Sequence, residues 1–202
     1  MPRIRAESIA EHKEKTRSEI LDAASSLFRT QGYSDTNLGD VAAFVGIGRT
    51  TLYEYFTDKE DILVNIVAET IPAVVDEMLS ELPEEISLRD RLGELLLRGL
   101  RYVSSDVDLG SMLMREMSKL SPSAQRRIAE AHDGLATEIT RLCRLGMERG
   151  EFRRADPGDV GRLVYSLMMT SSQALMRKEP SAARFREVAD TLLLLVFDGL
   201  AT

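Results

Sequence analysis

Asn37 to Phe56, NLGDVAAFVGIGRTTLYEYF, decides the architecture of this chain. Leu38, Val41, Ala42 and Val45 recur at the spacing of one buried helical face, which predicts a short helix from Thr36 to Val45. Gly46-Ile47-Gly48 reads as a tight turn, and a second short helix is expected from Arg49 to Tyr55. Gly46 permits the left-handed backbone such a turn requires, and Ala42 is small where two helices must approach closely. Ile47 and Leu52 are expected to fill the core beneath. Residues 37–56 therefore form a helix-turn-helix, whose second helix can enter a major groove. Arg49, Thr50, Thr51, Tyr53 and Tyr55 lie on the faces of that helix left free.

Upstream, Ile20, Ala23, Ala24, Leu27 and Phe28 follow the i, i+3, i+4, i+7, i+8 pattern of a buried helical face. Gly32 suits the left-handed residue that closes such a helix. Downstream the elements lengthen. Thr57-Asp58-Lys59-Glu60 reads as a capping box opening a long helix, with Pro72 placed to kink or divide it. Ser87–Asp90 and Ser105–Asp108 have similar cap spacing. Ser121-Pro122 and Asp156-Pro157 each set a cap residue before a proline at the first helical position. A helix of about 25 residues, ending at Gly150, is expected between them, and the last two helices from Pro157 to Lys178 and from Ser181 to Leu200. No alternating strand pattern competes. The fold class is all-α: an N-terminal three-helix domain, residues 1–63, carries the helix-turn-helix, and a larger helical domain, residues 64–202, follows.

Three motifs run in order through the first domain: Phe28-Arg29-Thr30-Gln31-Gly32-Tyr33; then Thr36, Val41-Ala42 and Val45-Gly46-Ile47; then Thr51-Leu52-Tyr53-Glu54-Tyr55-Phe56 with Lys59-Glu60. In these the chain resembles the TetR family of bacterial transcriptional regulators, whose pattern is F-x-x-x-G-[YF], T-x-x-x-[IV]-A-x-x-[AV]-G-[VI] and T-L-Y-x-[YH]-F-x-x-K-[ED]. The resemblance implies that Thr36, Asn37, Tyr53 and Lys59 touch phosphates, with Thr36 also capping its helix. It implies that Arg49, Thr50 and Thr51 face base edges, Arg49 reading a guanine and a Thr methyl meeting a thymine methyl. Tyr55 would contact DNA or support the helix. Gly48, Thr50 and Glu54 depart from the residues common at their positions, and Gly48 gives the second helix a weaker cap. The function implied is a repressor released from a palindromic operator by a small apolar ligand. A helical ligand-binding or interaction module that has lost specific DNA binding is the alternative.

The resemblance extends to a dimer. Leu163 and Leu167, then Leu192, Leu193, Val196 and Phe197, provide apolar faces on the last two helices, which against a two-fold copy form a four-helix bundle. The middle helices would enclose a small-molecule effector. Met112, Met114, Met117, Met147, Met168 and Met169 offer flexible thioethers suited to irregular apolar molecules, and Tyr102, Tyr165 and Gln173 offer polar contacts.

Charge points elsewhere at first. The 202 residues carry 26 Lys+Arg against 33 Asp+Glu, and residues 1–60 carry eight against ten, so double-stranded DNA is not favoured by net charge. Recognition must then rest on placement, which predicts a shallow salt dependence. Arg3 and Arg5 are expected ahead of the first helix, with Lys13, Lys15 and Arg17 near its start; they form either a minor-groove arm or a solvated tail. The longest apolar run, Leu192–Phe197, is far too short to span a membrane, and no apolar h-region follows the charged N-terminus. With Cys143 as the single cysteine, a cytoplasmic protein is expected. His12, His132 and Cys143 have no metal-ligand spacing, and neither a phosphate loop nor a nucleophile elbow occurs. No metal, cofactor or enzymatic activity is expected.

Overall fold

The computed structural model describes residues 2–83, 85–105, 112–113, 115–176 and 181–200, with backbone alone for residues 2–7, 104 and 105. Every regular element among them is a helix: α1 (Pro2–Thr30), α2 (Leu38–Val45), α3 (Arg49–Tyr53), α4 (Lys59–Ser80), α5 (Leu88–Ser105), α6 (Pro122–Ala131), α7 (Asp133–Glu148), α8 (Pro157–Met176) and α9 (Ala182–Leu200). Residues 106–108 of one expected helix start, and the expected end of α8 at Lys178, lie outside the described residues. The chain divides into two compact units: Met1–Thr70 with Met112–Ile128, and Ile71–Ser111 with Ala129–Thr202.

In the first unit α1 packs on α2, and α2 on α3. Ile20, Ala24 and Phe28 of α1, Val41 and Ala42 of α2, Leu52 of α3, and Phe56, Ile62 and Leu63 beyond it are buried. Burying a side chain of this size contributes about 1.5–3 kcal/mol. That anchorage matters most for α3, whose five residues could not hold a helix alone. Gly46 closes α2 at φ 81°, in the left-handed region, and its N–H donates to the carbonyls of Ala42 and Ala43.

The second unit is built on α5, α7, α8 and α9. Leu92, Leu95 and Leu96 of α5 share one core with Leu135, Ile139 and Leu142 of α7, Val164 and Met168 of α8, and Leu192, Val196 and Phe197 of α9. α7 and α8 approach so closely at Gly161 that a Cβ there would lie 2.8 Å from the Cα of Thr140. Phe152 folds back against Gly146, its ring 6.5 Å from that of Phe197.

Three local expectations change. α1 reaches back to Pro2, so Arg3 and Arg5 lie within a helix rather than ahead of it, their side chains outside the described residues. The helix expected from Ser121 to Gly150 is two, parted at His132, whose amide bonds the carbonyl of Ala129 three residues back. The cap of α4 is Asp58, not Thr57: its Oδ1 accepts the amide of Asp61 at 2.7 Å, while Asp61 Oδ2 accepts the amide of Thr57 at 3.2 Å. Pro72 lies within α4, which continues through it to Ser80.

Candidate nucleic-acid interface

α2 starts on a capping box. Asn37 has extended backbone, and its Oδ1 accepts the amides of Gly39 at 2.8 Å and Asp40 at 3.2 Å. Asp40 Oδ2 accepts the Asn37 amide at 2.9 Å in return. Thr36, expected to cap this helix and touch phosphate, is 1% exposed. Its hydroxyl donates to the carbonyl of Gly32 at 2.8 Å, within reach also of that of Leu27 at 3.5 Å. Burial makes Thr36 a brace for the α1–α2 connection, and the cap passes to Asn37.

Lys59 is engaged in the same segment. Its ammonium donates to the carbonyls of Tyr33, of Ser34 at 3.3 Å and of Thr36 at 2.8 Å, and lies 4.3 Å from the centre of the Tyr33 ring. The three carbonyls match the three hydrogens of the ammonium. Burial lowers its pKa from the usual lysine value, against the opposing pull of Glu116 and Asp35. The Tyr33 hydroxyl is pushed up to about 12, first by burial and then by Glu60, Asp58 and Glu116. Tyr33 meets Phe28 edge-on at 5.1 Å. Lys59, Thr36 and Tyr33 together fix the connection that aims Asn37.

On α3, Leu52 is sealed in the core while Arg49, Thr50 and Tyr53 are exposed, Tyr53 at 56%. Thr51 and Tyr55 are half-buried. Gly48 stands at the N-cap and makes no side-chain bond there. Arg49 Nη2 reaches Asn37 Oδ1 at 3.4 Å, bringing the two helix starts together. The Lys13 ammonium lies 5.9 Å from the centre of the Tyr55 ring, whereas Arg17 is engaged by Asn65 at 2.9 Å and by Glu69.

One polar junction had no sequence signal. The Glu60 carboxylate accepts the Ser121 amide at 2.9 Å and the Ser121 hydroxyl, and Arg127 pairs with Asp61 at 3.4 Å. Ser121 in turn caps α6 through the Ala124 amide at 3.2 Å.

In the second unit the apolar faces divide differently from expectation. Leu163 is 65% exposed and Leu167 is exposed as well. Leu192, Val196 and Phe197 are buried within the chain's own core, and Leu193 packs partly against it. The outward positions of α9 are Leu194 at 59% and Leu195 at 53%. Of the effector candidates, Met112 is buried and Met117 half-buried in the first unit, while the remainder of the described ones lie in the second. Met147 and Met168 are core residues, with Tyr165 and Met169 packed against that core and Gln173 half-buried. Tyr102 lines an open groove of about 380 Å³ with Val74, Met78 and Arg98. Met114 lies outside the described residues. Among the described residues no three His, Cys, Asp or Glu side chains are placed to hold a metal ion, and no helix is long and apolar enough to cross a membrane.

Residues 20–66 match the family described as bacterial regulatory proteins, tetR family, and residues 85–173 match a tetracyclin repressor-like C-terminal domain. The chain belongs to the TetR family. It is a DNA-binding transcriptional regulator of that family. TetR-family relatives include the fatty acid metabolism regulator protein of Bacillus subtilis (strain 168), 22% identical over 135 residues that cover 67% of this chain and 70% of that one. The HTH-type transcriptional repressor LfrR of Mycolicibacterium smegmatis is 26% identical over 191 residues, covering 94% and 93%. The same fold appears in the crystal structure of FadR from Bacillus subtilis in complex with stearoyl-CoA, with a TM-score of 0.78 at 18% identity over 91% of this chain and 98% of that one.

Proposed function

We propose that this TetR-family regulator is a cytoplasmic repressor that binds a pseudo-palindromic operator as a homodimer and is released by a small apolar ligand. The observation that carries the reading is the exposed row Arg49, Thr50 and Tyr53 on a helix fixed from beneath by Leu52. Asn37, Arg49, Thr50, Thr51, Tyr53 and Tyr55 form the DNA-facing set, Tyr53 through its hydroxyl. Thr36 and Lys59 act by shaping the loop. Residues 1–63 carry DNA binding, and residues 64–202 carry the ligand and dimer functions, apart from 112–128, which pack with the first unit.

A second copy of the chain is the cover for Leu163, Leu167, Leu194 and Leu195, large apolar side chains exposed on both α8 and α9. Two recognition helices are also what successive major grooves of an operator require. For the ligand, Tyr102, Tyr165, Met169 and Gln173 remain accessible enough to line a site in the second unit. The stearoyl-CoA bound by the Bacillus subtilis FadR structure supports a long apolar chain as the ligand class.

The test is a selection of the full-length protein on a random double-stranded DNA library, followed by gel shift with the enriched duplex, with and without stearoyl-CoA. An enriched inverted repeat, bound by a dimer and released by the acyl-CoA, is the expected result. Enrichment of no sequence would sink the operator reading. Release by no apolar compound would sink the ligand reading alone.

A further inference from the structure

We propose that the first turns of α1 are a second DNA-contacting element: the side of the helix that carries Arg5, Ile9 and Lys13 lies along the sugar-phosphate backbone beside α3. The proposal rests on the operator-binding reading above and adds to the contacts of α2 and α3. α1 begins at Pro2, roughly 20 Å ahead of Thr16, the first of its described residues to be buried. From Ser8 to Lys15 every residue is exposed. Ile9 is 64% exposed, yet Thr16, Ile20, Ala23 and Leu27, at i+7, i+11, i+14 and i+18 on the same helical face, are all buried. The packing face of α1 thus runs on past the core it serves. An isolated helix of this length is marginal in water, so a partner that covers the face also holds the helix.

Charge along this stretch is sorted by side. Lys13 stands one turn after Ile9 on the same side of the helix, and position 5, held by an arginine, stands one turn before it. Glu7, Glu11 and Glu14 occupy positions turned roughly 140–200° from Ile9, on the far side. Lys15 pairs with Glu19 along the helix at 3.9 Å. A face with cations and no carboxylate is complementary to phosphates, whereas a second copy of it would be repelled. One isoleucine is too small an apolar face for a bilayer. Continuity with α3 gives the face its place. The Lys13 ammonium lies 5.9 Å from the centre of the Tyr55 ring, within the DNA-facing set. A helix about 10–12 Å across cannot enter a minor groove about 6 Å wide, so it lies on the backbone. Arg5 and Lys13 then meet phosphates and Ile9 meets sugar, contacts that hold the protein in place and read no base.

The experiment uses the full chain and the duplex enriched by the wild type, with its flanks extended on both sides. Arg5→Gln, Lys13→Gln, Ile9→Glu, Ala10→Pro and the pair Glu11→Gln with Glu14→Gln are each titrated by fluorescence anisotropy, from about 50 to 200 mM salt. Arg5→Gln and Lys13→Gln are each expected to bind roughly tenfold more weakly at low salt, with the slope shallower by about 0.9 for each half-site and the same preferred bases. Ile9→Glu is expected to lose at least as much. The paired glutamate variant is expected to keep the wild-type slope. Ala10→Pro breaks the helix without moving a charge, and is expected to lose as much as either cation variant. Because residues 8–15 are exposed, these proteins melt with the wild type, which separates lost binding from lost folding. Wild-type affinity and slope in either cation variant would overturn the proposal. Wild-type affinity in Ala10→Pro would overturn it too, since the segment would then act as a flexible arm. A weakened dimer in Ile9→Glu, read by sedimentation, would make a second copy the cover instead of DNA. A wild type that enriches no sequence overturns the operator reading itself, an outcome distinct from these.

Discussion

In the first unit, loops and helix starts are pinned by named polar atoms. Asn37 and Asp40 close the start of α2, Asp58 and Asp61 the start of α4, Lys59 gathers three carbonyls, and Glu60 holds Ser121. In the second unit Ser87, Asp156 and Ser181 cap helix starts and Arg98 holds Glu81, but the weight falls on one core of apolar residues shared by α5, α7, α8 and α9. A directed bond has one good geometry, whereas apolar packing accepts many shapes of similar volume. A unit of the first kind holds a recognition helix in one place. One of the second kind can change its occupants without changing its fold.

The largest expected effect tests the contrast within the two cores. Leu52 and Leu95 are both fully buried, one in each unit. Leu52→Ala is expected to cost about 2–5 kcal/mol and to abolish operator binding, since α3 has no other anchor of that size. Leu95→Met is expected to cost less than about 1.5 kcal/mol and to leave operator affinity within twofold, roughly. Urea unfolding and anisotropy measure both. Equal losses in the two would erase the distinction between the units. Next comes Leu194→Glu, which places a charge on the exposed face of α9. Its expected effect is about 2 kcal/mol or more on dimerisation, read by sedimentation at several concentrations, with the helical content of the monomer unchanged. A dimer as tight as wild type would move the interface elsewhere.

Lys59→Met should be milder in stability, about 1–3 kcal/mol from carbonyls left without a donor. Its signature is in the salt dependence. Because the ammonium is occupied by Tyr33, Ser34 and Thr36, operator binding weakens while the salt slope stays as in wild type. A slope shallower by about one unit would return Lys59 to the phosphates.

What was legible in the sequence is what is local. The caps at Ser87, Ser121 and Asp156 form, because cap and amide lie three residues apart. The turn at Gly46 is legible for the same reason, and so is the α3 face. Long-range contacts were not legible. Thr36 and Lys59 sit at the right places in the motif, but burial and carbonyl acceptors from another segment redirect them inward. Glu60 is 61 residues from Ser121, and no periodicity reaches that far. Leu192 to Leu195 are four consecutive leucines, which cover the whole circumference of a helix. Pattern cannot then say that Leu192 points inward and Leu194 outward; only the neighbouring helices decide. Methionine suits a core as well as a pocket, so residue type alone does not choose between them.

The smallest effect lies at Cys143 and is absent at neutral pH. This thiol is fully buried in the second unit, and burial pushes its pKa from 9.0 up to about 11. The folded state therefore holds the proton more tightly than the unfolded chain. The sign follows: stability is unaffected below pH 9, falls as pH rises from 9 toward 11, and levels off once both states are ionised. The steepest loss is about 1.4 kcal/mol for each pH unit. Tyr33 and Tyr165 are raised as well and act with the same sign at still higher pH, so the thiol is isolated by comparing wild type with Cys143→Ala across that window. The stability difference between the two proteins is expected to shift against wild type between pH 9 and 11, and a thiol-reactive dye at pH 8 to label the wild type only after unfolding. The outcome bears on how the second unit is built. A core held by apolar packing offers a thiolate no donor and admits no water, so the penalty must appear. A flat difference and rapid labelling of the folded protein would mean that water already reaches α7, and that the second unit is looser than its leucine core implies.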